Sequence, residues 1–283
     1  MYRTIAGPGR YIQGRNVIKE IYAQIKFLGK RFALLTDEVV FPIIADSLRE
    51  GFAGSDGSWF QIPFQGDSTK AEEDRVMALV REQKADALIA AGGGKTIDTV
   101  KMVGNLMGLP IVIVPTAASS DAPCTRRSVV YDDEGTFVVS AEMRRNPDVV
   151  LVDTEIIAQA PVRFLLAGIG DAFSTFYEAR ACRRSGAMSL NGGVGTEAAY
   201  ALAQLCHDLL IRYGVKAVED AKAGRWSEEL EKLIEANIYI SGGFLTPGPN
   251  RFAIDFPKAR PRTVRWSIRF TTTRFISTSS TDF

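Results

Sequence analysis

Ala90-Ala91-Gly92-Gly93-Gly94-Lys95-Thr96-Ile97-Asp98 is the stretch whose reading decides the fold. It closes an apolar run, residues 85–91, that only Asp86 interrupts, and it leads into apolar residues at helical spacing as far as Met107. Strand, glycines, then helix is the arrangement that turns backbone N–H groups and a helix N-terminus toward an anion. Without Cβ atoms, Gly93 and Gly94 let a phosphate approach the main chain, and Lys95 adds a point charge. The spacing matches neither G-x-G-x-x-G nor G-x-x-x-x-G-K-[ST], so a tight strand-to-helix turn without ligand stays open beside the phosphate reading.

Working outward, strands and helices alternate on both sides of this turn. Tyr2–Ala6 reads as a strand, Asn16–Leu28 as a helix, Arg31–Thr36 as a buried strand ending at Asp37, and Val39–Phe52 as a helix. Ser58–Pro63 is a strand, and Ser68 or Thr69 caps the helix that precedes the central run. Ile111–Val114, β-branched throughout, suits a sheet interior. Residues 128–131 and 136–140 read as a hairpin, and Val149–Val152 as a last strand. The pattern predicts an α/β domain with a parallel sheet over residues 1–158. Residues 159–243 are helical throughout, with segments at 162–184, 194–213, 214–223 and 227–241, and form a partial all-α domain.

The chain has 283 residues, 46% of them hydrophobic and 24% charged, with a net charge of +1. That balance gives no bulk attraction to nucleic acid or to an anionic membrane. Cys124, Cys182 and Cys206 form no CxxC pair, and no apolar run is long enough to span a bilayer. A cytoplasmic enzyme with reduced thiols is the expectation. Residues 244–283 differ from the rest: seven basic residues stand against two acidic ones, leucine is absent after Leu245, and four prolines interrupt any helix.

The candidate chemistry clusters at strand ends, where open α/β sheets bind ligands. Pro115-Thr116-Ala117-Ala118-Ser119-Ser120-Asp121-Ala122-Pro123-Cys124 follows a buried strand and is rich in hydroxyls. Thr116 and Ser119 can bond a cofactor or substrate, and Asp121 can hold a hydroxyl; an exposed turn is the plainer alternative. Asp37 can accept from ribose hydroxyls, although an Asp at a strand end more often caps the next helix. Asp171 lies among Leu165, Leu166, Ile169 and Phe173, where a carboxylate is costly unless paired, capping or on a metal. His207, the sole histidine, completes neither a Ser-His-Asp set nor a histidine-rich metal set.

These stretches together resemble the glycerol dehydrogenase branch of the iron-containing (group III) alcohol dehydrogenase family. The matching text is Pro8-Gly-Arg-Tyr-Ile-Gln-Gly14, Gly92-Gly-Gly-Lys-Thr-Ile-Asp98, Val114-Pro-Thr-Ala-Ala-Ser-Ser-Asp-Ala-Pro-Cys124, Ala167-Gly-Ile-Gly-Asp-Ala172 and Glu178-Ala-Arg-Ala-Cys182. The resemblance implies a dehydroquinate-synthase-like two-domain architecture, with NAD on the α/β domain and a divalent metal, zinc or iron, in the cleft. It implies oxidation of glycerol or a related small polyol to dihydroxyacetone, by an enzyme that forms homo-oligomers. By the same resemblance, Asp37 selects NAD, and Gly93, Gly94 and Lys95 meet its pyrophosphate. Thr116, Ser119, Thr125, Arg127 and Tyr131 fall at further cofactor positions, Asp121 at a substrate position and Asp171 at a metal position. Thr125 and Arg127 depart from the usual Ser and Leu.

The resemblance ends after Ile240-Ser241-Gly242, and the family's two histidine-bearing metal motifs have no counterpart in the 283 residues. Residues 244–283 then read as a truncated or frameshifted C-terminus, and the expectation is an incomplete metal site and an inactive enzyme. Two alternatives stay open. One is an NAD-binding remnant without chemistry; the other is a glycerol-1-phosphate dehydrogenase-like relative, in which Arg126 and Arg127 meet a substrate phosphate.

Overall fold

In the computed structural model, the run 87–92 lies near the middle of a six-stranded sheet whose strands are all parallel. The structure describes residues 2–242 apart from 133, 187 and 189–192. The tail expected to be out of frame, 244–283, lies outside the described residues.

The elements in chain order are β1 (Arg3–Thr4), β2 (Tyr11–Gly14), α1 (Ile21–Ile25), β3 (Arg31–Thr36), α2 (Val40–Phe52), β4 (Ser58–Pro63), α3 (Lys70–Glu82), β5 (Ala87–Gly92) and α4 (Gly94–Met107). They continue with β6 (Ile111–Pro115), β7 (Arg127–Tyr131), β8 (Phe137–Glu142), β9 (Val149–Asp153), α5 (Thr154–Ala158), α6 (Val162–Ser185), β10 (Val194–Gly195), α7 (Glu197–Lys222) and α8 (Glu228–Glu235). A π-helical turn, Ala236–Ile240, extends α8.

The sheet order is β2-β9-β6-β5-β3-β4. From β3 the chain runs outward to β4, then crosses back to β5 and proceeds the other way to β6 and β9. The order therefore reverses between β3 and β5, the place where a crevice opens at the carboxyl ends of the strands. Asp37 follows β3 and the glycine turn follows β5, so both flank that point.

Period-2 alternation explains why both faces are covered. Phe32, Leu34, Ala87, Ile89 and Ala91 pack on one face against Ile21, Ile25, Ile44 and Leu48 from α1 and α2. Ala33, Leu35, Leu88 and Ala90 pack on the other against Val76, Val80, Val100 and Val103 from α3 and α4. This second cluster continues without a break into Leu165, Cys206, Leu230, Leu233 and Ile238 of the helical part. The α/β and all-α parts thus share one apolar interior among the described residues.

Several boundaries differ from the expectation. The helix read over Asn16–Leu28 is broken into 3-10 turns around the five-residue α1. Asn16 takes a left-handed φ of 56°, and the Asp153 carboxylate accepts from the N–H groups of Asn16 (3.1 Å) and Ile18 (3.2 Å), which fixes a tighter turn. Tyr2–Ala6 shrinks to β1, which pairs with β10 outside the main sheet. The sheet's edge is instead β2, beside β9, too short and too near Gly9 and Gly14 to show an alternating pattern. Residues 197–222 are one helix running through Gly214, because packing on both sides outweighs the modest helix penalty of glycine. No helix among the described residues is long and apolar enough to cross a membrane.

Candidate functional site

Gly92 has a φ of +156°, and a Cβ there would lie 2.9 Å from Thr96 Oγ1, so this position requires glycine. At Gly93 and Gly94 an added Cβ would meet nothing within 4 Å; these two glycines line open space. Gly93 is the N-cap of α4 and supplies no side chain, leaving the first-turn N–H groups without a side-chain acceptor. Bare donors, a dipole end and an open approach fit a dinucleotide pyrophosphate.

Lys95 meets two protein groups. Its ammonium pairs with Asp67 and lies 5.9 Å from the centre of the Tyr131 ring. The Tyr131 N–H donates to Ser68 O at 3.0 Å, which brings the hairpin to the crevice and places two expected cofactor residues side by side. Asp37 serves as a cap: its Oδ1 accepts from the N–H groups of Val39 (2.9 Å) and Val40 (2.8 Å). Thr116 lies across the turn, its N–H donating to Gly92 O at 3.3 Å.

The loop after β6 meets the helical part at its other end. The Asp121 N–H donates to Asp171 Oδ2 at 3.4 Å, so the backbone of the expected substrate residue touches the carboxylate expected to meet a metal. Asp171 lies within α6 and caps nothing, which removes the capping alternative. Asn237, on the π turn, donates from Nδ2 to Ala118 O (3.1 Å) and Leu165 O (3.4 Å), stitching loop, α6 and turn together. Asp98, Asp121, Ala122, Thr125, Arg127 and Val129 line a small cleft of about 100 Å³ beneath the loop. Ser119, in the same loop, is half-buried.

Sequence reasoning missed the pair beneath this cleft. Lys101 of α4 is 1% exposed and Asp98 8% exposed, with Nζ 3.7 Å from Asp98 Oδ1. Burial pushes the lysine pKa down and the aspartate pKa up, while each opposite charge works against the shift. The available signal was opposite charges three residues apart among the apolar residues of one helix. Cys124 is buried nearby, and burial raises its thiol well above the ordinary value, so it packs as a small apolar side chain.

A metal does not fit the described residues. Among them no group of three His, Cys, Asp or Glu side chains could hold one. The His207 ring is packed between Phe173 (5.4 Å) and Phe176 (4.9 Å), with Nδ1 3.3 Å from Asp208 Oδ1. Cys206, beside Asp171, is held protonated by burial, its pKa pushed up to about 12.

Comparison with known proteins agrees with this architecture. A family model described as iron-containing alcohol dehydrogenase matches residues 8–154. A glycerol dehydrogenase of Escherichia coli is 43% identical over 250 residues, 88% of this chain and 68% of that protein. A glycolaldehyde reductase of Halobacterium salinarum is 38% identical over 251 residues, again 88% of this chain and 68% of that protein. The crystal structure of glycerol dehydrogenase from Schizosaccharomyces pombe superposes with a TM-score of 0.82 at 34% identity, covering 87% of this chain and 63% of that one. The family match, the sequence identity and the superposition agree: this chain belongs to the iron-containing alcohol dehydrogenase family, a family of oxidoreductases.

Proposed function

We propose that the crevice binds NAD and that the site is built to oxidise glycerol, or a related small polyol, to dihydroxyacetone. One observation carries the reading: an uncapped glycine turn at the point where strand order reverses, with a hydroxyl-rich loop beside it. The polyol comes from the names of the Escherichia coli and Schizosaccharomyces pombe relatives. In this reading the N–H groups around Gly93, Gly94 and Lys95 hold the pyrophosphate. Asp37 accepts from the adenosine ribose and repels a 2′-phosphate. Thr116, Ser119, Thr125, Arg127 and Tyr131 line the remaining cofactor path, and Asp121 orients the polyol by accepting from a hydroxyl. NAD, when bound, supplies the hydride acceptor. The α/β part (1–158) carries the cofactor and the helical part (159–243) closes over the substrate.

Asp171 is the residue that would ligate a divalent metal, but among the described residues it belongs to no group of three His, Cys, Asp or Glu side chains able to hold one. A second reading, NAD binding without turnover, is favoured by the packing of the chain's one histidine, His207, against Phe173 and Phe176. The phosphate-substrate reading is weakened because Arg126 pairs with Glu142. Titration with NAD and NADP, followed by an assay for NADH formation with glycerol and zinc, separates these. NAD binding in preference to NADP is expected, and absence of NAD binding overturns the proposal. Glycerol-dependent turnover abolished by Asp171→Ala overturns the second reading.

A further inference from the structure

We propose that Lys101 is a positioning residue, fastening the substrate loop to the helix that receives the cofactor phosphates; the functional part of this inference rests on the reading above. Lys101 lies about 9 Å along α4 from Lys95, at 1.5 Å per residue. Its ammonium donates to Ala122 O and to Arg127 O (2.8 Å) and lies 3.7 Å from Asp98 Oδ1. Two hydrogen bonds to carbonyls and an ion pair with a carboxylate thus compensate a charge at 1% exposure.

The geometry of those acceptors gives the role. Ala122 and Arg127 are the two ends of one segment, and a single ammonium closes it into a loop. That loop carries Thr125, begins one residue after Asp121, and ends where β7 starts. Asp98 secures the same hairpin independently: its Oδ2 accepts from the Val129 N–H at 3.1 Å, and its backbone oxygen accepts from Ser128 Oγ at 2.9 Å. One helix therefore holds the phosphate cradle at its N-terminus and both ends of the 122–127 loop along its side.

The test compares the full chain with Lys101→Met, Lys101→Arg and the double variant Asp98→Asn/Lys101→Met, the last removing both buried charges. Hydrogen exchange of residues 119–131 is read against that of β5 and β6, and NAD affinity is titrated in parallel. In Lys101→Met, or in the double variant if the single one does not fold, exchange in 119–131 is expected to accelerate roughly tenfold, the scale of a lost hydrogen bond to a charged group. The core strands stay unchanged, and NAD affinity falls by a similar factor. Lys101→Arg, which keeps charge and donors, recovers protection of the loop relative to Lys101→Met. Unaltered loop exchange in a folded Lys101→Met protein overturns the proposal. So does unfolding of both the single and the double variant, since the pair would then support the domain and not the loop. Should the unmodified chain bind no NAD, the functional reading fails, while the exchange arm still decides the role of Lys101.

Discussion

Lys95 shares its ammonium between Asp67 and the face of Tyr131, and a pyrophosphate at the α4 N-terminus would compete with Asp67 for it. The Lys95 side chain is half-exposed, and its charge stays paired when one anion is exchanged for the other. Lys95→Met should weaken NAD binding by roughly tenfold, the effect of removing one charge-assisted contact. Asp67→Asn, by freeing the ammonium, should tighten it several-fold, and fluorescence titration reads both. Asp37 is a residue where two roles coincide. Its Oδ1 caps α2 through two N–H groups, so Asp37→Ala should cost about 1 kcal/mol in a denaturant titration. The same variant should narrow the gap between NAD and NADP affinity, and an unchanged gap would leave Asp37 with the cap alone.

At the scale of elements, the contact between the loop after β6 and α6 is set by a glycine. A Cβ at Gly168 would lie 2.0 Å from Ala118 O and 2.6 Å from Asn237 Nδ2, and the first of these is backbone that cannot rotate away. Gly168→Ala should therefore push α6 from the loop and lower stability by about 1–3 kcal/mol, seen as a lower denaturant midpoint. The end of α7 depends on Asp220. Hydrogen bonds from the Lys216 ammonium (2.6 and 2.7 Å), with help from Ser227 and Arg225 (2.8 Å), hold its carboxyl pKa down at about 2. A carboxylate with a lowered folded pKa stabilises the fold above its unfolded value of about 3.9 and loses that contribution as pH falls toward 2. Asp220→Asn should lower Tm by roughly 2–4 °C at neutral pH. The two proteins should converge as the pH approaches 2, and a difference that persists there would place the effect in packing.

For the whole molecule, the continuity of one apolar cluster from the sheet into α6–α8 means that the two parts should unfold together. NAD at a hundredfold excess over its Kd should raise the single Tm by roughly 5–10 °C, checked by calorimetry; two separated transitions would show that the helical part melts alone. The sequence by itself determined the alternating strands and helices, the glycine turn and the family, because these are local: period-2 and period-3.6 patterns and a motif of adjacent residues carry them. It could not find β2, a half-buried edge strand of four residues whose only evidence is its partner β9. Nor could it show that Gly214 would be carried inside a helix, since that balance is struck by packing. In the site, the residues around Gly92–Lys95 and Asp121 were legible because their backbone chemistry is written consecutively. The Asp67–Lys95 pair, the neighbourhood of Asp121 and Asp171, and the grip of Lys101 on Ala122 and Arg127 were decided only by tertiary structure. Each joins residues 21 or more positions apart, and nothing local fixes which distant carbonyl or carboxylate a charged side chain will meet.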